Sequence, residues 1–373
     1  MKILQTPPRF YPFIGGVENY AFYLSRELCK RGHAVRIICA QEPWGALDEI
    51  VEGIGVMRLR YIGKIANTNI TLGLPIALLK ADYDLIHTHL PTPWSADISA
   101  FISLIKGRPL ILTYHNNIVG GGICSCLASA YNHSFLPLLL RLSKKIIVTS
   151  KRYLDYSSYL KGYIRKIEVI PVGVDTERFR PEQNKREGSQ NILFVGLLDS
   201  FHRYKGLDCL IRAVDLLRKK ISGVKLTVLG EGSLKENYIK LAESLKLEKH
   251  IDFVGAVSQD ELVKYYNNCD CLVLPSLSAQ QEGFGITLLE AMSCAKPVVT
   301  TNITGLADEI ARREAGIVVE PYCIEGISQG ILKLFGDRYL AQGMGSRGRK
   351  LVEEEYSWQK IAQRVEEIYL GAL

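Results

Sequence analysis

Short β-rich runs alternate with helical stretches along almost the whole chain, and this rhythm limits the fold more than any other feature. In the first half the runs lie at 2–5, 34–40, 56–60, 85–89, 110–114, 146–150 and 167–171. In the second half they lie at 192–195, 225–229, 251–254, 271–275, 297–300 and 316–319. Strand–helix alternation calls for a parallel sheet covered on both faces. Two such series in 373 residues imply two doubly wound, Rossmann-like α/β domains. The joint is expected at 173–189, which is rich in charge, Pro and Gly and carries no periodic pattern. Ligands of such sheets bind beyond the carboxyl ends of the strands, so both domains are expected to turn those ends into one central cleft.

Composition narrows the class. The chain is 47% hydrophobic and 23% charged, has no apolar run near 18 residues and opens directly into a strand. These are the marks of a globular protein without a spanning helix, expected in the cytoplasm. Its nine cysteines are scattered, and Cys124 and Cys126 are too closely spaced for a zinc knuckle. The net charge of +7 is uneven: residues 1–172 hold 20 basic and 11 acidic side chains, the remainder 26 and 28. The basic half either serves solubility or attracts an acidic acceptor or an anionic membrane surface. No basic motif interleaved with aromatics matches a nucleic-acid module, so no nucleic acid is expected as partner.

The richest chemistry lies in 278–301, SAQQEGFGITLLEAMSCAKPVVTT. A polar loop passes through Gly283, Phe284 and Gly285 and becomes helical near Ile286, where Leu288, Leu289 and Met292 mark a buried face. Pro297 is expected to stop this helix. A glycine loop feeding a helix leaves free N–H groups and partial positive charge, a seat for phosphate. Glu282 precedes the seat, and Glu290 follows it by about one turn, roughly 6 Å along the axis. A sugar, a diphosphate and a ribose in line would meet Glu282, the helix start and Glu290 in that order.

Glu282 and Glu290, with seven residues between them around Gly-Phe-Gly, strongly resemble the signature of the retaining glycosyltransferases of family 4. The resemblance extends over nearly the whole chain and implies a GT-B fold of two Rossmann-like domains. It implies that Glu282, with the backbone of Gly283, Phe284, Gly285 and Ile286, holds the donor sugar, and that Glu290 holds the ribose hydroxyls. The string 202–206, HRYKG, is similar to the family's phosphate loop, so Arg203 and Lys205 would stabilise the departing diphosphate. Many members place Arg directly after the preceding Val-Gly, where this chain has Leu197; Arg203 is expected to supply that charge. Gly15 and Gly16 match a glycine pair that members set beside the diphosphate. Glu231, in Gly-Glu-Gly, and Gly255 resemble segments lining the base pocket. His115, after the run 110–114, matches a His near the transferred sugar; by itself it could equally be a hydrogen-bonded structural residue.

Other features are read on their own terms. His87 and His89 end a strand and lack a third metal ligand, so they are expected as cleft-wall residues. The glycines at 120–122 suggest a mobile loop, and 135–145 (FLPLLLRLSKK) suits either a core helix or a segment at a bilayer interface. Ala295 stands where the family commonly has Gly, and Val172 where it commonly has Asn. The resemblance implies domains 1–172 for the acceptor and 173–357 for the nucleotide sugar, with the amphipathic helix 358–373 crossing back to the first. The expected activity is metal-independent, cofactor-free, retaining hexosyl transfer from a UDP-, GDP- or ADP-linked sugar. The expected acceptor is a hydroxyl, lipid-linked, polysaccharide or glycoconjugate, with peripheral contact at the cytoplasmic face of the membrane. An epimerase or hydrolase of the same fold and a non-catalytic sugar-nucleotide-binding subunit are the alternatives.

Overall fold

The computed structural model describes residues 1–13, 15–65, 68–118, 123–151, 154, 157–182, 190–279, 281–282 and 284–373. Gly283 and the triple glycine at 120–122 lie outside them. The chain divides into two compact units, Met1–Val172 with Trp358–Leu373, and Gly173–Ser357.

Unit 1 is an eight-stranded sheet. Its strands are β1 (Lys2–Thr6), β2 (Ala34–Ala40), β3 (Asp48–Val51), β4 (Ile54–Leu59), β7 (Leu85–Leu90), β8 (Leu110–Tyr114), β9 (Lys145–Val148) and β10 (Ile167–Val169), in the order β10-β9-β8-β7-β1-β2-β4-β3. All neighbours are parallel except the edge pair β3–β4. A separate antiparallel ribbon pairs β5 (Gly63–Ile65) with β6 (Thr68–Ile70). Alternate strand residues feed two cores. Ile3, Ile37, Leu85 and Ile111 pack under helix α1 (Gly16–Lys30) and the final helix, Trp358–Ala372, whose Trp358, Ile361, Val365 and Tyr369 are buried there. Leu4, Ile38, Ile86 and Leu112 pack under α2 (Leu74–Lys80), α3 (Pro93–Lys106) and α4 (Ile123–Leu142).

Unit 2 is a six-stranded sheet of β11 (Asn191–Val195), β12 (Lys225–Leu229), β13 (Ile251–Gly255), β14 (Cys271–Leu274), β15 (Val298–Thr301) and β16 (Gly316–Val319). Their order is β13-β12-β11-β14-β15-β16, parallel throughout. Counted from β11, this is the doubly wound order 3-2-1-4-5-6, whose direction reverses between β11 and β14. The covering helices are α5 (Leu207–Arg218), α6 (Lys235–Ser244), α7 (Gln259–Asn268), α8 (Ile286–Ser293), α9 (Ala307–Arg312), α10 (Ile324–Gly336) and α11 (Arg338–Leu351). The final helix of unit 1 is α12 (Trp358–Ala372).

Two local expectations change. Pro297 does not stop α8. The helix ends at Ser293, where Ala295 at φ 56° lets Ala295 N–H reach the Met292 carbonyl and Lys296 N–H reach that of Ala291 at 3.0 Å. This left-handed closure is the one glycine adopts without strain. The phosphate-loop string, expected as an open loop, is a 3-10 turn over Ser200–Lys205 whose start is capped by the Asp199 side chain.

Candidate functional site

The reversal point of a doubly wound sheet opens a crevice where the loops after two adjacent strands diverge. In unit 2 those loops follow β11 and β14. The first carries Arg203 and Lys205, the second Glu282, so residues 77 apart in sequence meet. Lys205 Nζ lies 3.5 Å from Glu282 Oε2, both side chains being largely withdrawn from solvent. The same oxygen accepts a hydrogen bond from Ser276 Oγ at 2.9 Å. Leu277 N–H donates to the Tyr204 carbonyl at 2.7 Å, which stitches the two loops together. Gly196, just past β11, makes room for the cation: a Cβ there would stand 2.7 Å from Lys205 Cδ.

Glu282 leads into α8. Gly285, the N-cap, sits at φ 88°, and a Cβ would press on Leu288 and Leu274. Gly285 has no side chain with which to cap this helix start, and the amides of a first helical turn lack the intrahelical partners of later ones. Ile286 is exposed beside them, whereas the Phe284 ring is buried and faces Tyr356 with centroids 5.8 Å apart. Phe284 can therefore offer a ligand its backbone, not its ring.

Glu290, on the second turn of α8, is held by a residue that the sequence did not single out. Tyr266, fully buried on α7, donates its hydroxyl to Glu290 Oε2 at 2.6 Å. Burial pushes the Glu290 carboxyl up to about 7, against the Tyr266 bond and the positive charges of Lys205 and Arg178. The electrostatic influence of Lys205 thus reaches both glutamates. A buried tyrosine needs a partner for its hydroxyl, but nothing in the sequence marks Glu290 as that partner.

The remaining residues are more dispersed. Arg203 is exposed, and among the described residues no carboxylate lies within ion-pair distance of it. Leu197, where the family favours Arg, is exposed as well. Glu231 pairs with Lys235 at 2.7 Å, and its carboxylate lies over Gly255, where a Cβ would approach Oε1 to 2.4 Å. Leu306, Ala307 and Ile310 are buried around the start of α9.

Gly16 and His115 belong to unit 1. Gly16 opens α1, and among the described residues, its chain neighbours and own helix backbone aside, nothing lies within 4 Å of where its Cβ would stand. His115 follows β8, meets the Tyr20 ring edge-on at 4.8 Å between centroids, and places Nε2 3.3 Å from Nδ1 of His89. Burial pushes its imidazole down to about 3, so it stays neutral. His87 and His89 are not wall residues: both are fully buried on the face of β7 beneath α1 and α12. His87 bonds the Tyr369 hydroxyl and Thr113 Oγ1, each at 2.6 Å, and His89 bonds Gln5 at 3.1 Å. His87 thereby ties the sheet to α12 and to β8, and His89 ties β7 to β1. Among the described residues, no group of three or more His, Cys, Asp or Glu could hold a metal ion, and no helix is long and apolar enough to cross a membrane.

Comparison with known proteins gives this crevice a lineage. The family model for Glycosyltransferase Family 4 matches residues 14–178, and that for Glycosyl transferases group 1 matches residues 175–351. The GDP-mannose-dependent alpha-(1-6)-phosphatidylinositol monomannoside mannosyltransferase of Mycobacterium tuberculosis is 24% identical over 99% of this chain and 98% of its own length. Glycogen synthase of the same organism is 27% identical over 100% of this chain and 95% of its own. Among solved structures, Anabaena HepE in complex with UDP matches at a TM-score of 0.74 and 18% identity, covering 100% of both chains. The chain therefore belongs to the group 1 glycosyltransferases, with a family 4 N-terminal half, and is a hexosyltransferase of the GT-B fold.

Proposed function

We propose that this enzyme moves a hexose, with retention and without a metal or other cofactor, from a nucleotide-diphospho-sugar to a hydroxyl acceptor. The observation that carries the reading is the cradle at the β11–β14 crevice, in which Lys205 is bound to Glu282 and Glu290 is fixed by Tyr266. In this reading unit 2 takes the donor and unit 1 the acceptor. Glu282 and the amides opening α8 hold the sugar and the phosphate nearest it. Glu290 accepts hydrogen bonds from the ribose hydroxyls, and the loops bearing Glu231 and Gly255 line the base. Lys205, seconded by Arg203, stabilises charge as the diphosphate leaves, and in this reading Gly16 serves the diphosphate and His115 the transferred sugar. The acceptor oxygen bonds to the anomeric carbon on the face that the diphosphate vacates, and its proton passes to a phosphate oxygen of the leaving group. Positioning and fixed charge supply most of the rate.

The donor's chemistry is supported by relatives on both sides: the mycobacterial mannosyltransferase is GDP-mannose-dependent, and HepE was solved with UDP. That mannosyltransferase is named for phosphatidylinositol monomannoside, which favours a lipid-linked acceptor, a place in cell-surface glycan synthesis and work at the cytoplasmic membrane face. The test is a panel of UDP-, GDP- and ADP-sugars read by thermal stabilisation. A donor at 100 times its Kd should add about 2.7 kcal/mol. Product analysis with that donor should then show transfer that survives EDTA. Stabilisation by no nucleotide sugar, hydrolysis or epimerisation alone, or a strict need for added metal would each overturn the reading.

A further inference from the structure

Helix α3 is built inside out. Toward the sheet it buries Ala96, Ser99, Ala100 and Ser103 along with Ile102, mostly small side chains. Toward solvent, at i, i+3 and i+4 spacing, it turns Phe101, Leu104 and Ile105, which are 59%, 63% and 55% exposed. A helix packed on a water-soluble domain normally carries its large apolar residues inward.

Its neighbours continue the surface. Helix α3 packs between α2 and α4. Lys106 Nζ, at its C-terminus, donates to the carbonyls of Leu79 and Ala81 at 3.2 and 2.6 Å, and the Tyr131 hydroxyl of α4 donates to Asp97 at 2.7 Å. On α2, Leu74 and Leu78 are buried while Ile76 and Leu79 are exposed; on α4, Leu136, Leu139 and Leu140 are buried while Phe135 and Leu138 are exposed. The helical part of the segment 135–145, which ends at Leu142, is thus core on one side and exposed apolar surface on the other. Three helices packed side by side each turn large apolar side chains to solvent.

The charges around this face indicate what covers it. Lys80, Arg108, Arg141 and Lys144 are exposed at or just beyond the C-terminal ends of the three helices. Asp97 is the one acid that the helices carry; it is bound to Tyr131, and burial pushes its carboxyl up to about 6. Asp82 and Asp84, which follow α2, are bonded to Lys2. The face therefore offers cations and apolar side chains with no free acid among its described residues. An anionic bilayer interface complements that pattern, whereas the acids that a second copy would bring, Asp82, Asp84 and Asp97, are already bonded to Lys2 and Tyr131. We propose that the outer face of α2, α3 and α4 seats unit 1 on an anionic lipid bilayer, Phe101, Leu104 and their neighbours entering the acyl boundary and the cations meeting the headgroups.

The test is flotation of the purified full chain with vesicles of phosphatidylcholine alone or containing about one-third phosphatidylglycerol. Binding should require the anionic lipid and weaken with salt. The double variant Phe101→Ser, Leu104→Ser alters only exposed positions and should partition at least about tenfold more weakly. Arg108→Glu with Arg141→Glu should abolish the preference for anionic lipid. No flotation of the wild type, or flotation untouched by both variants, would overturn the proposal. So would a wild-type dimer, in sedimentation equilibrium, that the apolar variant converts to monomer without any vesicle binding. The inference does not lean on the donor cradle: vesicle binding by a chain that transfers no sugar would sink the reading above and leave this one standing.

Discussion

Removal of one hydroxyl, Tyr266→Phe, should change how donor binding depends on pH. That hydroxyl donates to Glu290 at 2.6 Å, and the carboxyl already sits at about 7 because burial disfavours its charge. A hydrogen bond to a charged group contributes about 1.5–3 kcal/mol. At 1.36 kcal/mol per pH unit, its loss moves the Glu290 titration upward by about one to two units. Ribose hydroxyls bond the ionised carboxylate more strongly than the neutral acid, and the ionised form prevails above the titration point, so the change in ionised fraction sets the upper limit of the effect. At pH 7.5 the wild type is about three-quarters ionised, while after a shift of about 1.5 units the variant is about one-tenth ionised. Nucleotide affinity at pH 7.5 should therefore fall by up to about eightfold and return near wild type above about pH 10. The assay is calorimetric titration of UDP and of GDP across this range, with kcat at saturating donor expected to change little. Wild-type affinity should itself decline as pH falls below about 7. An equal loss at every pH, or no loss, would refute the ribose role of Glu290 and the positioning role of Tyr266.

Three further outcomes follow from the cradle and its scaffold. Lys205→Ala should lower kcat by about 10²–10³-fold with a much smaller change in donor KM, measured by initial rates; normal turnover would remove the leaving-group role. Gly196→Ala should lower turnover in the same sense without unfolding the chain, because its Cβ would meet Lys205 Cδ at 2.7 Å and divert the cation. Unchanged kcat there would mean that the lysine reaches its working position by another route. Ala295→Gly should stabilise unit 2 by up to about 1.6 kcal/mol, since a left-handed alanine costs roughly 1–2 and glycine returns about 0.4–1 through the unfolded chain. Thermal unfolding checks this, and a lower Tm would contradict it.

Much of this architecture was legible because parallel strands buried on both faces read as apolar runs between helices. The runs at 34–40, 110–114, 225–229 and 316–319 coincide with β2, β8, β12 and β16. What escaped has physical causes. Strand β3, DEIV, is an antiparallel edge whose side chains remain partly or wholly exposed, so it leaves no apolar run. His87 and His89 looked like cleft residues because they end a strand, where ligands of such sheets bind. Here Tyr369, Thr113 and Gln5 satisfy them, and two of these three partners are far away in sequence. The two glutamates could be read from their spacing around the glycines. Tyr266, 24 residues upstream on another helix, could not, because its link to Glu290 exists only once α7 and α8 are packed. Periodicity marked 135–145 as apolar, but only the packed helix shows which of its apolar residues face outward.

The central claim is that one crevice grips the sugar end and the ribose end of a single donor through different glutamates. Calorimetric titration of the nucleoside diphosphate and of the matching nucleotide sugar against Glu282→Gln and Glu290→Gln tests it most directly. Glu290→Gln should weaken both ligands alike, whereas Glu282→Gln should erase only the extra affinity that the sugar brings. Wild-type binding of both ligands by both variants, or equal loss of the bare diphosphate in each, would contradict the account.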